Sequence, residues 1–299
     1  MHTSATAAFL NHKGGVGKTT SVINIGAGLV ILGNRVLLVD LDPQGHLTRF
    51  LGIERDEVRT TIYDVMRGVA PPQQSIITRE LRARVHMDGQ DNALSISVIP
   101  ATLEFADAEA VLSRVNRCQY LLKNAIAEVR DQYDYVLFDC PPSVGLISTN
   151  ALAAAQTVFV PVQTEYLALQ SLEDLLTKVE SVTTHLNPEL EVGGLIATRF
   201  DGRKVLSRTV VQTMRERFGA LLLDTMIRDN IVLAESPQYG KDVFSYRPRS
   251  FGAEDYLRLA EEIMDRMAAP PEREPNDADS EENFAGVGTW QKVLGDVDE

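Results

Sequence analysis

Asn11-His12-Lys13-Gly14-Gly15-Val16-Gly17-Lys18-Thr19-Thr20 decides the fold. Before it runs Ala7-Ala8-Phe9-Leu10, an apolar stretch that reads as a buried strand. After it, Val22, Ile23, Ala27, Val30 and Ile31 recur at helical spacing between Ser21 and Leu32. A strand, a glycine-rich turn and a helix opening are the context in which such a loop cradles phosphate. The glycines let successive N–H groups point inward, and the helix N-terminus adds partial positive charge. Gly14, Gly15, Val16, Gly17 and Thr20 then line the cradle, Lys18 reaches the β- and γ-phosphates of a nucleotide, and the Thr19 hydroxyl ligates Mg²⁺. A ligand-free turn explains neither the lysine nor the threonine.

The general pattern G-x-x-x-x-G-K-[ST] wants glycine where this chain has His12, and the chain adds a second lysine, Lys13. One cradle has little room for two lysines from one chain. The loop resembles the deviant Walker A loop of the ParA/MinD ATPases, and within them the ParA/Soj partition ATPases. That resemblance implies that Lys13 is catalytic and acts on the nucleotide of a partner subunit.

Arg35-Val36-Leu37-Leu38-Val39 reads as a second buried strand and ends in Asp40-Leu41-Asp42-Pro43-Gln44. Aspartates at i and i+2 lie on one side of an extended chain. At the C-terminal edge of a parallel sheet they would stand beside the phosphate loop, where such folds bind ligands. The run resembles the second ParA signature, which implies that Asp40 supports the Mg²⁺ shell and Asp42 orients or activates the attacking water. His46 stands where that family commonly has asparagine and reads as surface variation. Tyr135-Val136-Leu137-Phe138-Asp139 is a third apolar strand, and its terminal carboxylate has the Walker B form that holds Mg²⁺. Gly145, after Pro141-Pro142, marks a nucleotide-sensing switch.

The remaining pattern predicts a short helix from Thr60 to Gly68, a polar loop over residues 79–92, and a strand over Ser95–Pro100. It continues with a helix from Asn116 to Gln132, a strand over Val158–Val162, a helix from Leu167 to His185, and a strand over Gly193–Thr198. By resemblance the Gln163–Tyr166 turn belongs to a dimer face, with Gln170-Ser171 in place of the usual acidic-Gly pair. Strand-like and helix-like segments alternate to about residue 267. The expected fold is therefore one α/β domain over residues 1–269: a mostly parallel twisted sheet with helices on both faces.

The formal net charge of −13 argues by itself against nucleic acid, but the last thirty residues hold −7 of it. The one basic stretch carries Arg199, Arg203, Lys204, Arg208, Arg215 and Arg217 against Asp201 and Glu216. A charged amphipathic helix is ordinarily a solvated face. Arg203, however, falls where Soj-type members place a DNA-contacting arginine, and Arg247 and Arg249 are further candidates. Val232 replaces a second family arginine. Arg228 replaces a proline commonly near the adenine, so Arg228 and Asn230 are read as nucleotide contacts.

Cys118 and Cys140 have neither disulfide nor metal-ligand spacing, and an iron–sulfur cluster is not expected. No apolar run approaches a membrane span, which predicts a cytoplasmic protein, and the ParA/Soj resemblance implies association with the nucleoid. The chain carries no N-terminal extension for an operator-binding domain. Together the motifs predict a slow ATPase that forms an ATP sandwich dimer on non-specific double-stranded DNA. A ParB-like or other cargo-bound activator would stimulate hydrolysis and release it. The alternative is a MinD-like membrane regulator, whose basic C-terminal anchor contrasts with the acidic end of this chain. Residues 270–299 read as an acidic, proline-containing tail, with Phe284, Val287, Trp290, Leu294 and Val297 forming a docking motif over residues 284–297.

Overall fold

The computed structural model describes residues 4–81, 94–103, 105, 108–143, 145–165 and 168–268. The tail and its motif lie outside the described residues, as does most of the expected loop over residues 79–92. The Gln170-Ser171 pair lies outside the described side chains.

Seven strands form one sheet: β1 (Ala5–Phe9), β2 (Val36–Asp40), β3 (Ile77–Leu81), β4 (Leu94–Ile99), β5 (Tyr135–Asp139), β6 (Thr157–Gln163) and β7 (Glu191–Thr198). Their order is β3-β4-β2-β5-β1-β6-β7. All pairs are parallel except the β3–β4 edge. The central strands are apolar throughout because helices cover both sheet faces, so alternation disappears from the sequence. Thus Ala8, Leu37, Val39, Val136, Phe138, Val158 and Val160 face one core, whereas Ala7, Phe9, Leu38, Leu137 and Phe159 face the other.

Helix α1 (Lys18–Ile31) leaves the phosphate loop, and α2 (His46–Phe50) follows the paired aspartates. Along the chain come α3 (Ile62–Met66), α4 (Ala108–Leu112), α5 (Leu121–Ile126), α6 (Leu146–Ala154), α7 (Ala168–His185) and α8 (Val205–Phe218). Then follow α9 (Ile231–Glu235), α10 (Val243–Tyr246) and α11 (Phe251–Ala268). Helices α1, α2, α10 and α11 build one core, and α3 through α8 the other.

Two expectations change. Arg79–Leu81 belongs to β3 rather than to a loop. As an edge strand it covers one face only, with Arg79 held by Glu57 at 2.6 Å, so its polar residues mask the strand pattern. The helix expected from Asn116 to Gln132 contracts to α5, with single 3₁₀ turns at Cys118–Tyr120 and Arg130–Gln132. Its apolar side is buried at Leu122, Ala125, Ile126 and Val129, whereas Tyr120 and Leu121 are half-buried. The helix cannot extend backward because Arg117 is left-handed (φ 55°). There Asn150 of α6 takes over the backbone, accepting from Leu122 N–H at 3.0 Å and donating to the Cys118 carbonyl at 2.8 Å.

Helix α1 is pressed between the sheet and α11. A Cβ on Gly28 would stand 2.9 Å from the Ala260 Cβ and 3.4 Å from the Tyr256 carbonyl. Gly28→Val therefore overpacks this contact and is expected to cost about 1–3 kcal/mol. In urea unfolding this should appear as a lower midpoint at an unchanged slope.

Candidate functional site

The phosphate loop is shaped before any ligand arrives. Gly15 and Gly17 adopt φ of 75° and 92°, the left-handed region that only glycine enters freely. His12 is not in that region, so the glycine it replaces is not needed for the turn. The loop is tied to the next two strands: Gln163 donates to the Gly15 carbonyl at 3.0 Å, and Thr198 Oγ1 to the Val16 carbonyl at 2.9 Å. Asn11 donates to the Pro161 carbonyl at 2.7 Å and accepts from Lys13 N–H at 3.0 Å. With its carbonyls engaged behind, the loop keeps its inner face free. A Cβ at Gly14 or Gly15 would meet nothing within 4 Å.

Lys18 is buried, and its ammonium is held by the Asn11 and Lys13 carbonyls at 2.9 and 3.1 Å. Burial pushes its pKa down, while the nearby Asp139, Cys140 and Asp42 work against that. Two carbonyls satisfy part of the ammonium and leave a cation at the loop's centre, where it can meet phosphate.

Strand register brings the carboxylates together. Asp40 pairs with Asp139 across β2 and β5, and both are fully buried. Asp40 is already used: one oxygen accepts from Thr48 N–H and Oγ1 at 2.9 and 2.7 Å, the other from Asp42 N–H at 3.1 Å. Asp139 Oδ2 accepts from Thr19 Oγ1 at 2.7 Å, and its Oδ1 is buried with no partner among the described residues. Burial raises both carboxyls, and for Asp139 the adjacent Asp40 adds to it. An orphaned carboxylate oxygen beside a hydroxyl, in a pocket that penalises negative charge, fits a hard divalent cation. Thr19 and Asp139 are therefore placed to hold Mg²⁺, with Asp40 behind them. Cys140 is buried, and burial raises its thiol far above its usual range. It sits after β5 while Cys118 sits before α5, in separate elements.

Two cavities flank the loop. One, of about 520 Å³, is bounded by Gly15, Gly17, Thr20, Thr198, Tyr256 and the segment 227–231, so Arg228 and Asn230 share a cavity with the phosphate loop. Asn230 caps α9 by accepting from Val232 N–H at 3.0 Å. The Arg228 side chain turns from the cavity's centre to Asp255 and Glu254, and its guanidinium stacks 4.3 Å over the Phe251 ring. It shapes the base loop through α11. The other cavity, about 580 Å³, is bounded by Gly14, Lys18, Thr19, Asp42, His46 and Pro142. His46, expected as surface variation, thus borders the phosphate end of the site. Its Nδ1 stands 3.9 Å from Asp42 Oδ2.

Lys13 does not share the cradle with Lys18. Its ammonium points outward and pairs with Glu165 at 2.7 Å, a contact that pattern reading missed because the two are 152 residues apart. Gly145 lies against Glu109, whose carboxylate a Cβ would overlap and which accepts from Ile147 N–H at 3.2 Å. The basic candidates are exposed. Arg203 donates to both Asp201 oxygens at 2.9 and 3.1 Å, Lys204 stands 3.7 Å from the same carboxylate, and Asp201 is held down at about 2 by these bonds. Arg208 donates to the Gly202 carbonyl at 2.6 Å, and Arg199 stands 3.8 Å from Asp229. Arg247 lies 5.6 Å over the Tyr246 ring, and Arg249 is exposed in the same turn.

Comparison with known proteins places this site in a family. A model described as an AAA domain matches residues 4–192. The chromosome partitioning protein ParA of Caulobacter vibrioides is 41% identical over 261 residues, covering 87% of this chain and 93% of that one. The sporulation initiation inhibitor protein Soj of Bacillus subtilis is 41% identical over 256 residues, covering 86% and 96%. A Mycobacterium smegmatis structure, described as cobyrinic acid a,c-diamide synthase with bound ATP analog and magnesium, superposes with a TM-score of 0.72. It is 34% identical and covers 87% of this chain and 93% of that one.

Lys18→Ala removes the one cation inside the cradle. Loss of charge-assisted hydrogen bonds of about 1.5–3 kcal/mol is expected to weaken nucleotide binding roughly ten- to hundredfold, read by titration calorimetry.

Proposed function

The chain belongs to the AAA domain family and, within it, to the ParA/Soj ATPases, and from that premise we propose that it moves a cargo by cycling on and off DNA. It is a partition or positioning ATPase that works with ATP and Mg²⁺. In the proposed cycle ATP binds against Gly14–Thr20, with its base in the cavity beside Arg228 and Asn230. Thr19 and Asp139 would hold Mg²⁺, with Asp40 supporting that shell, and the ion would supply charge neutralisation on the phosphates. Asp42 orients the attacking water. Two ATP-bound subunits close face to face, and the Lys13 of each reaches the nucleotide of the other.

The observation that carries this reading is the separation of the two lysines. Lys18 occupies its own cradle, whereas Lys13 leaves it and is neutralised by Glu165 on the outside. An exposed ion pair contributes little, about 0–1 kcal/mol, so a phosphate can displace Glu165 without a large penalty. Polyphosphate from a second subunit is the anion that fits. A cation added in trans to a phosphoryl-transfer site raises its rate by up to roughly 10³–10⁵. That accounts for a slow isolated subunit and for stimulation by a cargo-bound partner.

DNA is the proposed track, met by Arg199, Arg203, Lys204 and Arg208 on one segment and by Arg247 and Arg249 on another. The first segment begins directly after Thr198, which bonds the phosphate loop, so nucleotide state and the basic surface share a strand end. Among the described residues no helix is long and apolar enough to cross a membrane. A cytoplasmic, nucleoid-associated location follows from the DNA proposal. The relatives' names point to chromosome partitioning. Proteins retained by an ATP-trapped Asp42→Ala variant would identify the cargo or its adaptor.

Two outcomes test the cycle. Lys13→Ala should keep nucleotide affinity within about twofold yet lose ATP-dependent dimerisation or turnover, and Asp42→Ala should accumulate the ATP dimer in size-exclusion chromatography with light scattering. Normal partner-stimulated hydrolysis by Lys13→Ala would end the trans assignment. For DNA, the wild-type ATP dimer should bind unrelated duplexes with a log–log salt slope of about −0.9 per phosphate neutralised. Arg203→Glu should weaken binding at every salt concentration and flatten that slope by about one unit or more, with dimerisation intact.

A further inference from the structure

Asp42 has one oxygen fixed and one turned toward a histidine. Its Oδ1 accepts the Gln44 N–H at 2.9 Å, which sets the carboxylate's plane, and its Oδ2 faces His46 Nδ1 across 3.9 Å. That span exceeds a direct hydrogen bond and is one that a shared water closes.

The backbone that carries the pair is pinned. Gly45, between Asp42 and His46, has φ 60°, and a Cβ there would stand 2.9 Å from the Ala101 carbonyl. Two residues past His46, Thr48 is bound to Asp40 through both its N–H and its hydroxyl. His46 therefore starts α2 at a fixed place, on the wall of the cavity that Lys18, Thr19 and Asp42 also line.

We propose that His46 is a positioning residue for ATP hydrolysis, acting through Asp42 on the attacking water. The inference rests on the reading of Asp42 as the water-orienting acid. A neutral imidazole offers Nδ1 as an acceptor for the second hydrogen of a water whose first hydrogen is held by Oδ2. With both hydrogens directed, the water's lone pair is left for the phosphate. A protonated imidazole carries N–H on both ring nitrogens and no longer accepts the water's second hydrogen. The charged groups facing His46 are Asp42 on its own turn, Arg49 further along α2, and Lys18 from α1. The other bounding segments present Pro142 and Pro237, which carry no charge.

The test is single-turnover ATP hydrolysis by the full chain between about pH 8 and about pH 5, the interval in which imidazoles change charge. Wild type, His46→Ala, His46→Asn and Asp42→Ala are compared, with ATP-analogue affinity measured alongside. Wild type is expected to exceed His46→Ala severalfold at the alkaline end, with that ratio falling toward one at the acid end. His46→Asn, whose amide also accepts a hydrogen bond, should recover part of the alkaline rate without the acid fall. Wild type and the His46 variants share Asp40, Asp42 and Asp139, so the ratio at each pH compares chains that differ only at His46. A wild-type to His46→Ala ratio constant with pH overturns the proposal. So does a rate loss matched by an equal loss of nucleotide affinity. Normal hydrolysis by Asp42→Ala would instead sink the underlying assignment of the acid, whatever the His46 variants do.

Discussion

Everything at this site depends on two carboxylates and one ammonium sharing a dry space at the ends of three strands. The register that sets Asp40 beside Asp139, with Lys18 entering from the next loop, is unfavourable in isolation. Two like charges lose their water together, and burial penalises the cation as well. The fold compensates locally. Thr48 and the Asp42 N–H satisfy Asp40, Thr19 satisfies half of Asp139, and two carbonyls hold Lys18. Among the described residues one Asp139 oxygen stays without a partner, and a divalent cation would complete it.

The phosphate loop is a rigid receiver because strands that come late in the chain hold it. Gln163 at the end of β6 and Thr198 at the end of β7 each bind a loop carbonyl. Thr164, between them in space, bonds the Arg199 carbonyl at 3.2 Å and Ser207 of α8 at 2.9 Å. A chain of hydrogen bonds therefore joins the phosphate loop to the start of the basic segment. Arg199 sits at that junction with φ 52°, unusual for a residue with a side chain. The neighbouring end of β6 carries Glu165, which pairs with Lys13. The phosphate loop, the Lys13–Glu165 pair and the start of the basic segment thus lie at the adjacent ends of β6 and β7.

Much of this was legible in the chain itself. The phosphate loop is local: its glycines, lysine and threonine act within ten residues, and the geometry follows from φ preferences and helix start. The strands ending in Asp40 and Asp139 were readable because apolar runs that stop at a carboxylate mark the edge of a buried sheet. The errors fell where tertiary contacts override local pattern. The helix over residues 116–132 lost its first turn to Asn150, and Arg79–Leu81 joined an edge strand that local polarity concealed.

The sequence by itself determined the sheet, the cradle and the acids, because each is written as a contiguous run with a period or a motif. It could not determine what lies across from each side chain. Glu165 against Lys13, Asp255 against Arg228 and the cavity in front of His46 join positions that only folding makes neighbours. His46 shows the difference most plainly. In the chain it is a substitution in a turn. On a turn whose Gly45 passes close to the Ala101 carbonyl and whose Thr48 is bound to Asp40, the exposed His46 side chain faces an oxygen of Asp42, because direction in space is fixed by tertiary contacts and not by order along the chain.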